Sequence, residues 1–217
     1  MKGDFAGSMM EADYYLSRKG EPMTVATDRR MTLKEYLDYD DGTDIRYELE
    51  DGVLVEMGAE TPLNPRIAAM LMFLFGDLGS PRKLLAIGHQ IEVRSRYATA
   101  RQPDLIVHTT ESDEALSGNE KVLRLGAPSP LLVIEVASQT LIDTKSRKRD
   151  YDYKPQEYAD RGITEYWIVD PDRAWVMVGT LVDDVYQFVT FQGDDAIVSP
   201  TFPKLDLTAA QVLSAGR

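Results

Sequence analysis

Two carboxylates stand out because of their surroundings. Glu135 lies near the end of Leu131-Leu132-Val133-Ile134-Glu135-Val136-Ala137, a run that is otherwise wholly apolar. Side chains of a strand alternate faces, so a run apolar on both faces marks a strand covered on both sides. A carboxylate there is costly unless a cation, a metal or hydrogen bonds compensate it. A salt bridge to a nearby Arg or Lys would serve, and so would a metal ion. Asp104 opens a second apolar stretch, Leu105-Ile106-Val107, directly after Pro103, and proline is tolerated at a strand start. If the two strands are neighbours, the carboxylates come together and repel unless a cation bridges them. Magnesium suits such a pair, because it takes one or two carboxylates and keeps room for waters and a phosphate.

Beyond Glu135 come Asp150, Lys154 and Tyr158, spaced by four and so on one face of a helix. Pro155 interrupts that pattern, because proline inside a helix removes a hydrogen bond. Either Lys154 lies at a break or the helix bends there, and both arrangements can aim it at the strand ends; an exposed surface lysine is the other reading. Lys145-Ser146-Arg147-Lys148-Arg149 holds four cations in five residues. It is either a solvated helix face or local positive charge for a phosphate backbone.

Composition narrows the chemistry. The 217 residues contain no cysteine and only two histidines, His89 and His108. Disulfides, thiolate zinc sites and cysteine nucleophiles are excluded, and a His-rich metal site is disfavoured. Gly-x-Gly-x-x-Gly, P-loop and Gly-x-Ser-x-Gly patterns are absent. Lys plus Arg number 24 against 36 Asp plus Glu, a formal net charge of −12, which opposes nonspecific nucleic-acid binding unless positive charge is concentrated locally. With 43% hydrophobic and 28% charged residues the chain reads as a soluble globular protein. No membrane-length apolar run or signal-like segment is visible, which makes the cytoplasm the default location.

The elements that must position these residues are legible in outline. Residues 1–27 read as an N-terminal extension and 28–217 as one domain. Thr32 and Glu35 form a capping box for a short helix, and Asp51-Gly52 marks a hairpin between Ile45–Glu50 and Val53–Met57. Asn64-Pro65 offers N-cap and first helical residue for an apolar helix to about Leu78. Leu84–Arg94 reads as one or two strands, Asp104–His108 and Leu131–Ala137 as two more. The Thr109–Ser129 connection between those two is long enough to expect mobility beside a site. A mostly helical segment to Arg161 follows, then strands at 163–170, 174–181 and 185–191 and a short helix after Leu207. The class is α/β (α+β), a mixed sheet flanked by helices with an N-terminal β-hairpin.

Pro103-Asp104 followed by Glu135-Val136-Ala137-Ser138 resembles the PD-(D/E)XK nuclease signature. With Arg46–Gly52 and Gly162–Asp170, the chain from Met31 to Leu213 resembles the Uma-two family of restriction-endonuclease-like proteins. The resemblance implies a restriction-endonuclease-like core and a magnesium site, with manganese as a substitute, made by Asp104, Glu135 and the backbone carbonyl of Val136. It also implies that Glu48 is the N-terminal acidic residue of the site. The superfamily's lysine position, two residues after the glutamate, is Ala137 here, and the resemblance suggests Lys154 instead. Near Asn64-Pro65-Arg66, where relatives commonly carry a histidine, this chain has none. The function implied is a metal-dependent phosphodiesterase, a DNA endonuclease, with Lys145, Arg147, Lys148, Arg149 and Arg101, joined by Arg94 and Arg96, holding the nucleic-acid backbone. A nuclease-fold module that binds nucleic acid or protein without cutting is the alternative. A third is a homodimer with Tyr166, Trp167 and Trp175 in its interface.

Overall fold

The chain crosses between two sheets more than once, and Pro103 lies at the crossing that leads into the strand after Asp104. The computed structural model describes residues 30–57, 61–116, 118, 120–137 and 148–215. The 1–27 extension lies outside them. One sheet has five strands, ordered β2 (Val53–Glu56), β1 (Tyr47–Glu50), β5 (Thr99–Arg101), β4 (Gln90–Val93) and β7 (Val122–Leu123). The other has six, ordered β11 (Val185–Gln192), β10 (Trp175–Val182), β9 (Glu165–Asp170), β8 (Leu132–Val136), β6 (Leu105–Val107) and β3 (Leu85–Ala86). Each sheet contains one parallel pair, β4–β7 and β8–β9. The Leu84–Arg94 stretch thus splits between the two sheets as β3 and β4.

Local chemistry explains most boundaries. Thr32 and Glu35 cap α1 (Leu33–Leu37) reciprocally. Asp51 and Gly52 take φ of 48° and 83°, the left-handed pair that a two-residue hairpin turn needs. The apolar helix α2 spans Leu63–Asp77, so Asn64 sits inside its first turn and is not the N-cap. A short helix α3 (Thr110–Glu114) follows β6. A five-residue π-helical turn, Arg149–Tyr153, runs directly into α4 (Lys154–Asp160), with Pro155, which has no N–H to donate, just past the junction. The chain finishes with α5 (Ala209–Ser214) behind its Thr208 cap. Among the described residues no helix is long and apolar enough to cross a membrane.

β8 is buried along its whole length. One of its faces packs with α2 through Ile67, Leu71 and Phe75; the other, carrying Val133 and Ala137, packs with Tyr158 and Ala159 of α4. Tyr166 and Trp167 are both 0% exposed, so these aromatics belong to the core. They are not available to the dimer interface named as the third reading, while Trp175 is half-buried, with its indole N–H 3.0 Å from Tyr151 OH.

The Thr109–Ser129 connection also departs from expectation. β6 and β8 are antiparallel, with Val107 opposite Leu132, so the connection leaves and returns at the end of the sheet away from Asp104 and Glu135. Its described residues are tied down: β7 joins the five-stranded sheet, and the Arg161 guanidinium donates to the carbonyls of Ala127 at 2.7 Å and Arg124 at 3.0 Å. At its start, buried His108 contacts Ser112 Oγ through Nδ1 at 3.0 Å and His89 Nδ1 through Nε2 at 3.2 Å.

Arg101 joins the two halves. It is 0% exposed; Nε and Nη2 donate to the two oxygens of Glu157 at 2.8 and 2.9 Å, and Nη1 reaches Glu50 at 3.0 Å and Glu48 at 3.4 Å. Burial opposes its charge, but Glu157, Glu48 and Glu50 outweigh that and hold it firmly protonated. Arg101 therefore has no donor face to offer a nucleic acid, contrary to the expectation from sequence. Arg101→Met leaves three acidic side chains without their cation and should lower unfolding free energy by about 3 kcal/mol or more in a urea titration; a loss under about 1 kcal/mol would contradict the hub.

Burial, then His89, pulls the His108 pKa from 6.5 down to about 4. The unfolded chain takes up this proton below about 6.5 and the folded chain does not. His108 thus contributes stability above pH 6.5 that is lost as pH falls toward 4, on the order of 2 kcal/mol. His108→Gln should flatten the pH dependence of stability between 6.5 and 5, above the range where most carboxylates titrate. Parallel curves for the two proteins would show that His108 is not the group responsible.

Candidate functional site

The antiparallel register that pairs Leu105 with Ile134 brings Asp104 opposite Glu135. Both line one cavity of about 90 Å³, room for several water molecules. The wall is completed by Glu48 from β1, Val55 and Glu56 from β2, Met57, Asn64 from α2, Gln102, Val136, Arg149, Asp150 and Lys154. Five carboxylates therefore face two cations, and this excess of negative charge favours a positively charged guest.

Glu135 is 5% exposed and both its oxygens are engaged. Lys154 Nζ donates to Oε2 at 2.7 Å and Tyr158 OH to Oε1 at 2.6 Å. Lys154 Nζ also lies 3.2 Å from Asp150 Oδ1, one turn earlier. The lysine is 4% exposed, which rules out the surface reading of it. Burial works against its charge, but Glu135, Asp150 and Glu48 more than offset that, so Lys154 is held protonated well above the usual lysine range. Burial raises the Glu135 carboxyl above its ordinary value, with Lys154 pulling the other way. Tyr158, buried beside that carboxylate, is likewise pushed far up and stays a donor.

Glu48 is the counterweight on the other sheet. Burial would raise it, but Lys154, Arg101, Arg149 and the Gln102 N–H, 2.8 Å from its Oε1, bring it below the normal carboxylate range. Asp104 Oδ2 accepts from the Val136 N–H at 2.6 Å, while the Val136 carbonyl accepts from Asn64 Nδ2 at 3.2 Å. Every donor atom available to a cation here is a carboxylate or carbonyl oxygen, the chemistry of a hard metal. Among the described residues no three acidic or histidine side chains converge as a ready-made metal cage. Two carboxylates with a carbonyl are the set on offer, and magnesium requires no more.

Of the cationic strip, Lys145 and Arg147 lie outside the described residues. Lys148 is exposed, and half-buried Arg149 reaches the cavity wall with Nε 3.6 Å from Asp150 Oδ1. Arg94 and Arg96 are exposed but line a separate groove with Tyr153 and Gln156. Sequence reasoning missed Asn64 as a cavity residue. Its only signal was a polar side chain opening an apolar helix, which reads equally as a cap.

Comparison with known proteins bears on the fold and the family. A solved structure described as "a putative nuclease belonging to DUF820" from Anabaena variabilis ATCC 29413 superposes with a TM-score of 0.65 at 17% identity, covering 86% of this chain and 99% of that one. It shares the fold, a mixed α+β core of restriction-endonuclease type. No curated protein matches the chain significantly. Residues 33–210 match the Uma2 family, described as "Putative restriction endonuclease", over most of the chain. The chain belongs to the Uma2 family of nuclease-type proteins.

Proposed function

We propose that this protein is a metal-dependent DNA endonuclease whose centre is the cavity at the ends of β6 and β8. The observation that carries this is the buried Lys154 ammonium, 2.7 Å from a Glu135 that stands opposite Asp104. Asp104, Glu135 and the Val136 carbonyl would hold a magnesium ion, with manganese able to replace it. Such a cation, when bound, supplies charge neutralisation at the phosphate and acidifies water.

The chain's own residues do the rest. Asp104 and Glu135 fix the cation side of the cavity, Asp104 oriented by the Val136 N–H and Glu135 by Tyr158. Lys154, held protonated, supplies N–H donors where negative charge grows on the phosphate in the transition state. It also orients water against Glu135. Glu48, kept ionised by Arg101 and the Gln102 N–H, holds positive charge at the opposite wall. Arg149 on the cavity wall, with its exposed neighbour Lys148, would hold the nucleic-acid backbone, contacts that give affinity without reading sequence. A nuclease-fold module that binds without cutting is favoured by Ala137 in the superfamily's lysine position and by the net charge of −12.

Cleavage of supercoiled plasmid and of single-stranded DNA, with and without magnesium or manganese, decides between them. Wild type should nick or cut only with the metal. Lys154→Met should lose cleavage by about 10²-fold or more yet retain the cation, whereas Asp104→Asn should lose both. Intact plasmid in every metal condition supports the binding module. Lys154→Met cutting as fast as wild type removes the lysine's role.

A further inference from the structure

Val136 ends β8 two residues past Ile134, the last of its residues paired with β6. Its N–H and carbonyl both face the β6 side, since the next peptide N–H, of Ala137, bonds to Val169 of β9 at 2.8 Å. The register that pairs Leu105 with Ile134 brings Pro103 opposite Val136, and proline has no N–H to give. Two side chains take the place of the missing ladder. Asp104 Oδ2 accepts from the N–H at 2.6 Å, and Asn64 Nδ2 donates to the carbonyl at 3.2 Å. Asn64 is 2% exposed, and Thr61 Oγ1 donates to its Oδ1 at 2.8 Å, so both ends of the amide are fixed.

A carbonyl oxygen has two lone pairs. Asn64 takes one and leaves the other for the cavity that both residues line. The Val136–Ala137 peptide is thereby held between β9 on one side and α2 on the other, and its carbonyl cannot swing away. Asn64 also ties the position of α2 to the wall that carries Asp104 and Glu135.

We propose that Asn64 is a positioning residue of the cation site, aiming the Val136 carbonyl at the metal. The proposal rests on assigning Asp104, Glu135 and Val136 as the cation's ligands. Partners that orient metal ligands from behind change affinity by about 10- to 100-fold when removed. A residue that merely completes a strand end would change stability alone.

The test is manganese binding to the intact chain, read by electron paramagnetic resonance of free Mn²⁺, with melting temperature measured alongside. Wild type should bind, and Asp104→Asn should not. Asn64→Ala should weaken binding about tenfold. Asn64→Ser, too short to reach the carbonyl but conservative for the helix, should do the same if the alanine variant folds poorly. Asn64→His, which carries a ring N–H at similar reach, should recover most of the affinity. Alanine and serine variants that bind within twofold of wild type, with only a lower melting temperature, would overturn the proposal. So would a histidine variant as weak as alanine. If wild type itself binds no manganese, or Asp104→Asn binds as well as wild type, the ligand assignment fails, and the role given to Asn64 falls with it.

Discussion

A lysine ammonium and a glutamate carboxylate, 2.7 Å apart and almost wholly out of water, set the terms for everything around them. Each ion alone would be too costly to bury, and even as a pair they repay desolvation only if their remaining hydrogen-bonding capacity is met. The structure meets it: Tyr158 takes the second Glu135 oxygen and Asp150 takes the lysine's other side. These partners come from consecutive turns of one segment. The π-helical turn before α4 places Asp150 and Lys154 together against β8, and such turns recur at functional sites.

The second constraint is topological. Glu135 gains Asp104 as a neighbour only because β6 and β8 are antiparallel and adjacent. It gains Glu48 only because the chain crosses from one sheet to the other at Pro103. The same crossing leaves Val136 without a ladder partner, which is why two cavity side chains end on that residue. The cavity's excess of carboxylates is balanced from behind by Arg101, whose ion pairs hold β1, β5 and α4 together. Stability and site electrostatics thus share the same residues, so substitutions here must be judged on both.

Much of this was legible in the sequence because it depends on short-range pattern. Leu131–Ala137 is apolar on both faces, which singled out Glu135, and Pro103-Asp104 before three apolar residues singled out its neighbour. The four-residue spacing of Asp150, Lys154 and Tyr158 survived Pro155 because the π-helical turn before it keeps the segment helical into α4. What was not legible depends on pairing between distant segments. Arg101 looked like a basic surface residue because Glu48, Glu50 and Glu157 are more than fifty residues away in sequence. Asn64 looked like a cap because its partner, Val136, is 72 residues on. The Thr109–Ser129 connection looked mobile because its anchors, β4 and Arg161, lie outside it.

The claim at the centre is that Lys154 and Glu135 act as one electrostatic unit, neither tolerable without the other. A double-mutant cycle tests it, using urea unfolding of wild type, Lys154→Met, Glu135→Gln and the double variant without added metal. Each single substitution should be costly, and the double should be less destabilised than their sum by about 2 kcal/mol or more. Effects that add to within about 0.5 kcal/mol would mean that the two charges are independent, contradicting the account.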